Sequence, residues 1–315
     1  SSREQTFVPT YDADGNQTKI RTATGVWTAE YNALNRPVRF TRTAEDGTVT
    51  TVTGDYDYMG RRIFKKVETT VTDPETGEST TSVILNHRYL YRGYLQIAAL
   101  DLTRTTLNAL WYILWDPTEP VATRPLAIQT AGSWFAYGWD LTKNVMELYK
   151  SNGTIANSYS YAPFGEVTQR GNITNPLQWS SEAYDAELSM VYYNFRFYNP
   201  FDGRWLRRDP HIELNSNLYA YVYNTPTMLL DIRGEWAFAL PIISIPVSLI
   251  VAGAIVATVV ITEVVRPGTI KEIVDEVIPK TKPIPIPVPN IKKTCPPCPP
   301  PQQSGSRVDC VPPSR

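Results

Sequence analysis

Two aspartates, Asp209 and Asp231, have the types and spacing best suited to acid–base chemistry in this sequence. Asp209 comes directly before Pro210, and Asp231 comes shortly before Gly234, with an aromatic, alternating segment between the two turn-like stretches. Two carboxyls held close together cannot both ionise, so one would keep a proton while the other activated water. Such a pair supplies a general base and a general acid. Each aspartate is also suited to an ordinary turn beside proline or glycine, so both interpretations stay open here.

The other reactive residue types give weaker indications. The 2 histidines, His87 and His211, are too few for a histidine-based metal cluster and are interpreted as ordinary surface residues. Cys295 and Cys298 form a C-x-x-C pair that fits half of a zinc site, a redox pair or a local disulfide, and Cys310 is left over. The sequence contains neither a Gly-x-Ser-x-Gly nucleophile motif nor a phosphate-binding glycine loop. We therefore expect no cofactor.

Composition divides the chain into zones. The 30 basic and 31 acidic residues give a formal charge of -1, which argues against nucleic acid as a partner. All 19 tyrosines lie at or before Tyr223, and the last of the 8 tryptophans is Trp236. Half of the 26 prolines follow residue 266. The start at Ser1 has no charged and apolar leader pattern, so no secretory signal peptide is predicted.

The tyrosine-rich part repeats a phrase typical of β-hairpins. The phrases YDADGNQTKI, YNALNRPVRF and YDYMGRRIFK begin at Tyr11, Tyr31 and Tyr56, and each leads through a turn-prone segment into alternating apolar and polar residues. Gly15 and Gly60 supply the positive φ that tight turns need. This pattern predicts a series of antiparallel strands, which must twist and have covered or closed edges.

The segments SYAPFGEV, AYDAELSMVYYNFRFYNPFDGRWLRRDP and NLYAYVYNTPTMLLD resemble the repeat-associated core of the RHS, or YD-repeat, proteins. The positions that match this core in order are Tyr161, Pro163, Phe164, Gly165, Tyr184, Asp185, Tyr192, Tyr193, Arg196, Tyr198, Pro200, Gly203, Arg204, Arg208, Asp209, Pro210, Asn217, Tyr219, Tyr221, Asn224 and Pro226. With the upstream repeats, the resemblance covers Tyr11 to about Gly234.

The resemblance implies an all-β fold in which antiparallel YD-repeat strands curl into part of a β-cocoon shell. It divides the chain into a repeat region at 1–160, a core at 161–236, an apolar segment at 237–262 and a tail at 263–315. The implied partners are the N-terminal remainder of the shell and the chain's own C-terminal segment as cargo.

Self-cleaving members of the family use two aspartates, which correspond here to Asp209 and Asp231, with Arg208 as the adjacent basic group. The bond cut would follow Glu235. Two positions depart from the family pattern, because Ile232 stands where the family has proline and Glu235 where it has leucine. Proline would fix φ and shape the turn that presents the bond, whereas isoleucine leaves this turn freer.

The uncharged stretch that ends at Thr262 is long enough to cross a bilayer as a helix, so residues 237–262 predict a transmembrane segment. An apolar segment packed inside the shell is the alternative. Beyond it, Thr269 and Glu272 form a capping box that predicts a short helix, and the proline-rich tail predicts an extended or disordered linker.

Three functions follow from these observations. The first is a shell and core that encloses or presents a C-terminal segment for secretion or toxin delivery in bacterial competition. The second is a membrane-anchored surface protein for adhesion or carbohydrate binding. The third is an aspartyl autoprotease that releases its own C-terminus. We expect the chain to be secreted or at the cell surface, with residues 237–262 as the segment that would contact a membrane.

Overall fold

A computed structural model of the chain describes residues 7–106, 108–117, 124–209, 217–227, 229–231, 234 and 237–239. All of them lie in one compact unit, Ser1–Glu272. In these ranges the chain forms strands and two short 3-10 segments, Trp179–Ser181 and Tyr221–Asn224.

The strands are β1 (Thr10–Tyr11), β2 (Gln17–Thr22), β3 (Gly25–Tyr31), β4 (Pro37–Thr43), β5 (Val49–Tyr56), β6 (Arg62–Thr72), β7 (Ser79–Arg92), β8 (Leu95–Asp101), β9 (Asn108–Trp115), β10 (Pro125–Thr130), β11 (Ser133–Trp139), β12 (Val145–Lys150), β13 (Ile155–Tyr161), β14 (Val167–Arg170), β15 (Ala183–Asp185), β16 (Met190–Tyr192), β17 (Phe197–Asn199), β18 (Arg204–Trp205), β19 (Leu229–Asp231) and β20 (Ala237–Ala239).

Strands β1 to β14 form one antiparallel sheet in which the described strands follow each other in sequence order. Strands β15 to β18 form a smaller antiparallel sheet, and β19 pairs with β20. The prediction of an all-β, antiparallel fold is confirmed for this part of the chain. Of the predicted apolar segment 237–262, the first three residues form β20, because their backbone pairs with β19 in the register Asp231↔Ala237. The rest of that segment and the tail at 263–315 lie outside the described residues.

One turn geometry recurs along the large sheet. At Asp57 the side-chain Oδ1 accepts hydrogen bonds from the amides of Met59 and Arg61, both at 3.0 Å, and the Gly60 amide donates to the Asp57 carbonyl. Gly60 has φ +84°, which glycine adopts without the cost that a Cβ would add. Equivalent backbone bonds close the turns that begin at Asp12, Asn32, Asp140 and Ala162. The repeated Tyr-Asp phrase is therefore a strand end followed by a turn held by its own side chain.

An aromatic residue before six of the described turns links each of these turns to the preceding repeat. Tyr56 donates its hydroxyl to the carbonyl of Pro37 at 2.7 Å, just past the turn before it. Burial raises the pKa of Tyr56 well above its ordinary value, so the hydroxyl remains a donor. The same link is made by Tyr31, Tyr91, Trp115, Trp139 and Tyr161. We call this series of hydrogen bonds the hydroxyl ladder. In two of them the donor is an indole N–H, from Trp115 or Trp139, in place of a hydroxyl.

The small sheet is buried on both faces. Met190, Tyr192 and Phe197 face the apolar side chains of β2 to β6, in the same cluster as Trp27 and Phe40. The alternate side chains on the other face form a separate aromatic cluster, which contains Trp179, Val191, Tyr193, Tyr198, Trp205, Tyr221 and Val222. This alternation follows from the two-residue period of a strand. From here on, the name core means the described residues between 177 and 231, a narrower range than the 161–236 expected from the sequence, because they contain the small sheet on which β2 to β6 pack.

The core binds both ends of the large sheet. Tyr219 donates its hydroxyl to the carbonyl of Gly15 in the first turn, at 2.7 Å. Tyr198 donates its hydroxyl to the carbonyl of Phe164 in the last turn, also at 2.7 Å. A sheet that contacts one core from its first turn to its last must bend around it.

A buried ionic cluster fixes the core to the middle of the large sheet. Asp185 accepts from Arg62 at 2.5 and 3.0 Å and from Lys65 at 2.8 Å, and Lys65 also reaches Glu187. Burial alone would raise the pKa of Asp185, but the charges of Arg62 and Lys65 lower it well below its ordinary range. Loss of one partner would leave an uncompensated buried charge, which is strongly destabilising.

Candidate functional site

Arg196 is the centre of the site. It follows a tight connection after β16, in which the amides and carbonyls of Tyr193 and Arg196 exchange hydrogen bonds at 3.0 Å. The side chain is buried, and its guanidinium carbon lies 4.0 Å from the centroid of the Trp205 ring. An arginine stacked on an aromatic face has little freedom left, so its fork of donors points in a fixed direction.

The guanidinium of Arg196 bridges the two aspartates that the sequence singled out. Its Nη1 donates to Asp209 Oδ2 at 2.7 Å and its Nη2 donates to Asp231 Oδ2 at 3.1 Å. Asp231 is nearly inaccessible, while the Asp209 side chain is 27% exposed. The fold thus brings Asp209 and Asp231 to one cation, and the two carboxylates are held on either side of it.

The same arginine holds the backbone after Asp231. The Arg196 Nε donates to the carbonyl of Gly234, and the Gly234 amide donates to Asp231 Oδ1 at 2.6 Å. Gly234 has φ +78°, and a Cβ there would lie 2.9 Å from the Cβ of Tyr193 and 3.2 Å from the Arg196 amide nitrogen. Only glycine fits this position, so the chain directly before the predicted scissile bond is fixed by both conformation and contact.

The other predicted residues lie elsewhere. The Arg208 side chain packs over Gly15 in the first turn of the large sheet. His87 lies in β7 with its ring edge-on to Tyr89, and burial, assisted by the charge of Lys65, lowers the pKa of His87 to about 4. Residues His211, Ile232, Glu235, Cys295, Cys298 and Cys310 are outside the described residues.

Glu182 is a third acidic residue of this region that the sequence did not indicate. Burial raises the pKa of Glu182 to about 8, the charge of Asp231 acts in the same direction, and Lys143 opposes them. Glu182 follows the 3-10 segment Trp179–Ser181 and lines a cavity of about 660 Å³ together with Trp115. At neutral pH Glu182 can therefore hold a proton within electrostatic reach of Asp231, whose carboxylate accepts a hydrogen bond from Arg196.

The described ranges contain no group of three or more histidine, cysteine, aspartate or glutamate side chains placed to hold a metal ion. In the same ranges, no helix is long and apolar enough to cross a membrane.

The fold resembles that of solved structures. The crystal structure of TcdB2-TccC3-TEV matches with a TM-score of 0.53 at 22% identity, over 71% of this chain and 11% of that chain. At this identity the match shows a common fold. The described part of the chain therefore shares its antiparallel β-sheet fold with part of that structure.

Sequence similarity relates the chain to parts of larger proteins, although no family model matches it. The tRNA3(Ser)-specific nuclease WapA of Bacillus spizizenii is 26% identical over 237 residues, which cover 72% of this chain and 9% of the relative. Toxin subunit YenC1 of Yersinia entomophaga is 25% identical over 241 residues, which cover 71% of this chain and 23% of the relative. The chain is thus related to Rhs-type toxin components and spans 9% to 23% of the length of these two.

Proposed function

We propose that this chain is the shell and core segment of a secreted Rhs-type toxin protein, and that it encloses or presents the segment after Gly234 for delivery. The observation that supports this most is that both the first and the last turn of the large sheet bind the core, through Gly15 and Phe164. The cargo is the chain's own C-terminal segment, which leaves the core through β19 and β20.

The N-terminal remainder of such a shell is the second proposed partner. Among the described strands, β1 pairs only with β2, so its outer edge is free to accept a further strand. Unpaired edges are completed by other strands or covered. The relatives are several times longer than this chain, which fits additional repeats on that side.

Protease protection and liposome flotation test the enclosing function on the whole chain. Proteinase K is expected to trim the tail at 263–315 while residues 237–262 remain attached to the body. The chain is also expected to stay at the bottom of a flotation gradient. The variant Trp205→Ala, which opens the aromatic cluster of the core, should expose residues 237–262 to the protease. Flotation of the wild type with liposomes would instead favour the membrane-anchored surface protein.

Self-processing is a second candidate function, and the contacts of Arg196 favour it. This one side chain holds Asp209, Asp231 and the carbonyl of Gly234, so both acids lie beside the backbone that leads to the bond after Glu235. We propose that one carboxylate takes a proton from water, which attacks the Glu235 carbonyl carbon. The Glu235–Trp236 bond then breaks, and the leaving amine receives a proton from the other aspartic acid of the pair. Arg196 stabilises the negative charge that develops during attack.

Intact mass measurement tests this second function. The wild type is expected to split between Glu235 and Trp236, while Asp209→Asn and Asp231→Asn keep their full mass. Asp46→Asn, in an exposed turn, is the matched control and should split like the wild type. Full-length mass for all four proteins would exclude self-cleavage and leave the two aspartates with a structural role only.

A further inference from the structure

Within the described part of the chain, the outer half of β7 has a free edge. Strand β8 pairs with β7 only from His87 to Arg92, and the next backbone bond on that side joins Leu102 to the Asn86 carbonyl. Among the described strands, residues Ser79–Leu85 therefore pair with β6 alone. On the side away from β6, about half of the amides and carbonyls of this stretch bond to no described strand and can accept another one.

The composition of this edge favours pairing with another strand. The segment STTSVIL has no charge and no proline, and it is rich in β-branched residues. Val83 and Ile84 are 47% and 60% exposed. Proteins usually protect an exposed edge with charges, proline or a covering element. The pairing Val83↔Glu68 to Ser79↔Thr72 is regular, and the bulge comes only beyond it, at Ile84.

The charges at the two ends of the edge would attract each other if a second copy of the hairpin lay antiparallel to the first. The tip of the β6–β7 hairpin carries only acidic charges, Asp73, Glu75 and Glu78. The base of the free edge is flanked by Arg88 and by Arg104, whose side chain is 72% exposed and lies 3.8 Å from Asp101. An antiparallel copy of the same hairpin would place its acidic tip beside these two arginines, and the reverse contact would form at the other end.

We propose that the free edge of β7 is a dimerisation surface, on which a second copy of this chain pairs antiparallel through Ser79–Val83. The pairing is isologous, with each copy contributing the same strand. With Thr81 at the two-fold axis, Thr81 faces its own counterpart, and Ser79 faces Val83. The exposed two-stranded tips, each marginal alone, then become a four-stranded sheet.

Sedimentation velocity of the full chain tests this proposal. The wild type is expected to dimerise, and Thr81→Lys is expected to abolish the dimer, because two lysines would then lie directly opposite each other. Thr81→Val, which keeps the β-branched shape, should dimerise like the wild type. All variants retain residues 237–262, so any association through that segment is common to them and cancels. Circular dichroism checks that the exposed substitution leaves the fold intact.

Cysteine cross-linking tests the register. In a background with Cys295, Cys298 and Cys310 changed to serine, Thr81→Cys should give a disulfide-linked dimer, while Ser151→Cys, in another exposed turn, should not. Glu75→Lys should weaken the dimer by removing part of the acidic tip. A monomeric wild type, or equal sedimentation of the wild type and Thr81→Lys, would overturn the proposal. Equal cross-linking at Thr81→Cys and Ser151→Cys would also overturn it.

Discussion

At the residue scale, Arg196 binds two aspartates and a backbone carbonyl, a role that the sequence did not assign to any single residue. The motif placed Arg196 among the matched positions, but a linear pattern carries no information on which buried carboxylates an arginine will reach. The structure gives it two aspartates and a backbone carbonyl at once. Its removal takes the guanidinium away from the almost inaccessible Asp231.

We predict that Arg196→Ala lowers the free energy of unfolding by about 3–5 kcal/mol, the cost typical of breaking a buried ion pair from one side. Urea unfolding followed by circular dichroism measures this. Arg39→Ala is the control, because Arg39 is half-exposed and lies 3.9 Å from Glu30 at the surface. That change should cost less than about 1 kcal/mol. Equal losses in the two variants would show that Arg196 is not the centre of a buried network.

Glu182 predicts a specific dependence of stability on pH. Because its pKa is raised in the folded state to about 8, the folded protein binds more protons than the unfolded chain between about pH 4.5 and 8. Its contribution to stability is therefore present at low pH and falls as pH rises, by up to about 1.4 kcal/mol per unit. Glu182→Gln should remove this slope.

The measurement for Glu182 is the difference in unfolding free energy between the wild type and Glu182→Gln from pH 6 to 8. Using the difference cancels the other titrating groups, such as Asp185 and His87, which are common to both proteins. A difference that does not change with pH in this window would contradict the raised pKa.

At the element scale, the repeats were predictable and their connections were not. Asp57 and Gly60 stand at the spacing that a tight turn needs, so the order of residues alone indicates the turn. The hydroxyl ladder could not be anticipated in the same way, because Tyr56 bonds to Pro37 in the preceding repeat. Two of the positions are tryptophan and not tyrosine, so the repeat is harder to recognise in the sequence, although the indole N–H makes the same kind of bond.

We predict that Tyr56→Phe costs about 1–2 kcal/mol of stability, because the Pro37 carbonyl loses its donor in a buried setting. Tyr58→Phe is a close control, since Tyr58 lies two residues away and is 92% exposed. Chemical denaturation of the two variants measures the difference. If both change stability by the same small amount, the ladder does not contribute to holding successive repeats together.

The core shows the same limit of sequence reasoning. Met190, Val191 and Tyr192 are consecutive in the sequence, and only the structure shows that both faces of the strand they form are buried. Glu182 is missed for a related reason: it matches no motif position, and its environment is made by Lys143 and Asp231, which are distant in sequence.

At the scale of the whole molecule, the large sheet and the core act as one structure. The sheet binds the core at its first turn, at its last turn and through the ionic cluster around Asp185. If the sheet encloses a downstream segment, its contacts with the core must open together. One end of the sheet opening alone would expose the enclosed segment.

Hydrogen exchange of the wild type and Trp205→Phe measures whether the sheet and the core open together. The substitution shrinks a fully buried side chain of the core without removing its aromatic character. We predict an equal loss of protection in β15 to β18, in β2 and β3 at one end of the large sheet, and in β12 and β13 at the other, because all three open in one cooperative event. A loss confined to residues 183–206 would show that the core opens independently of the sheet and would contradict the proposed enclosure.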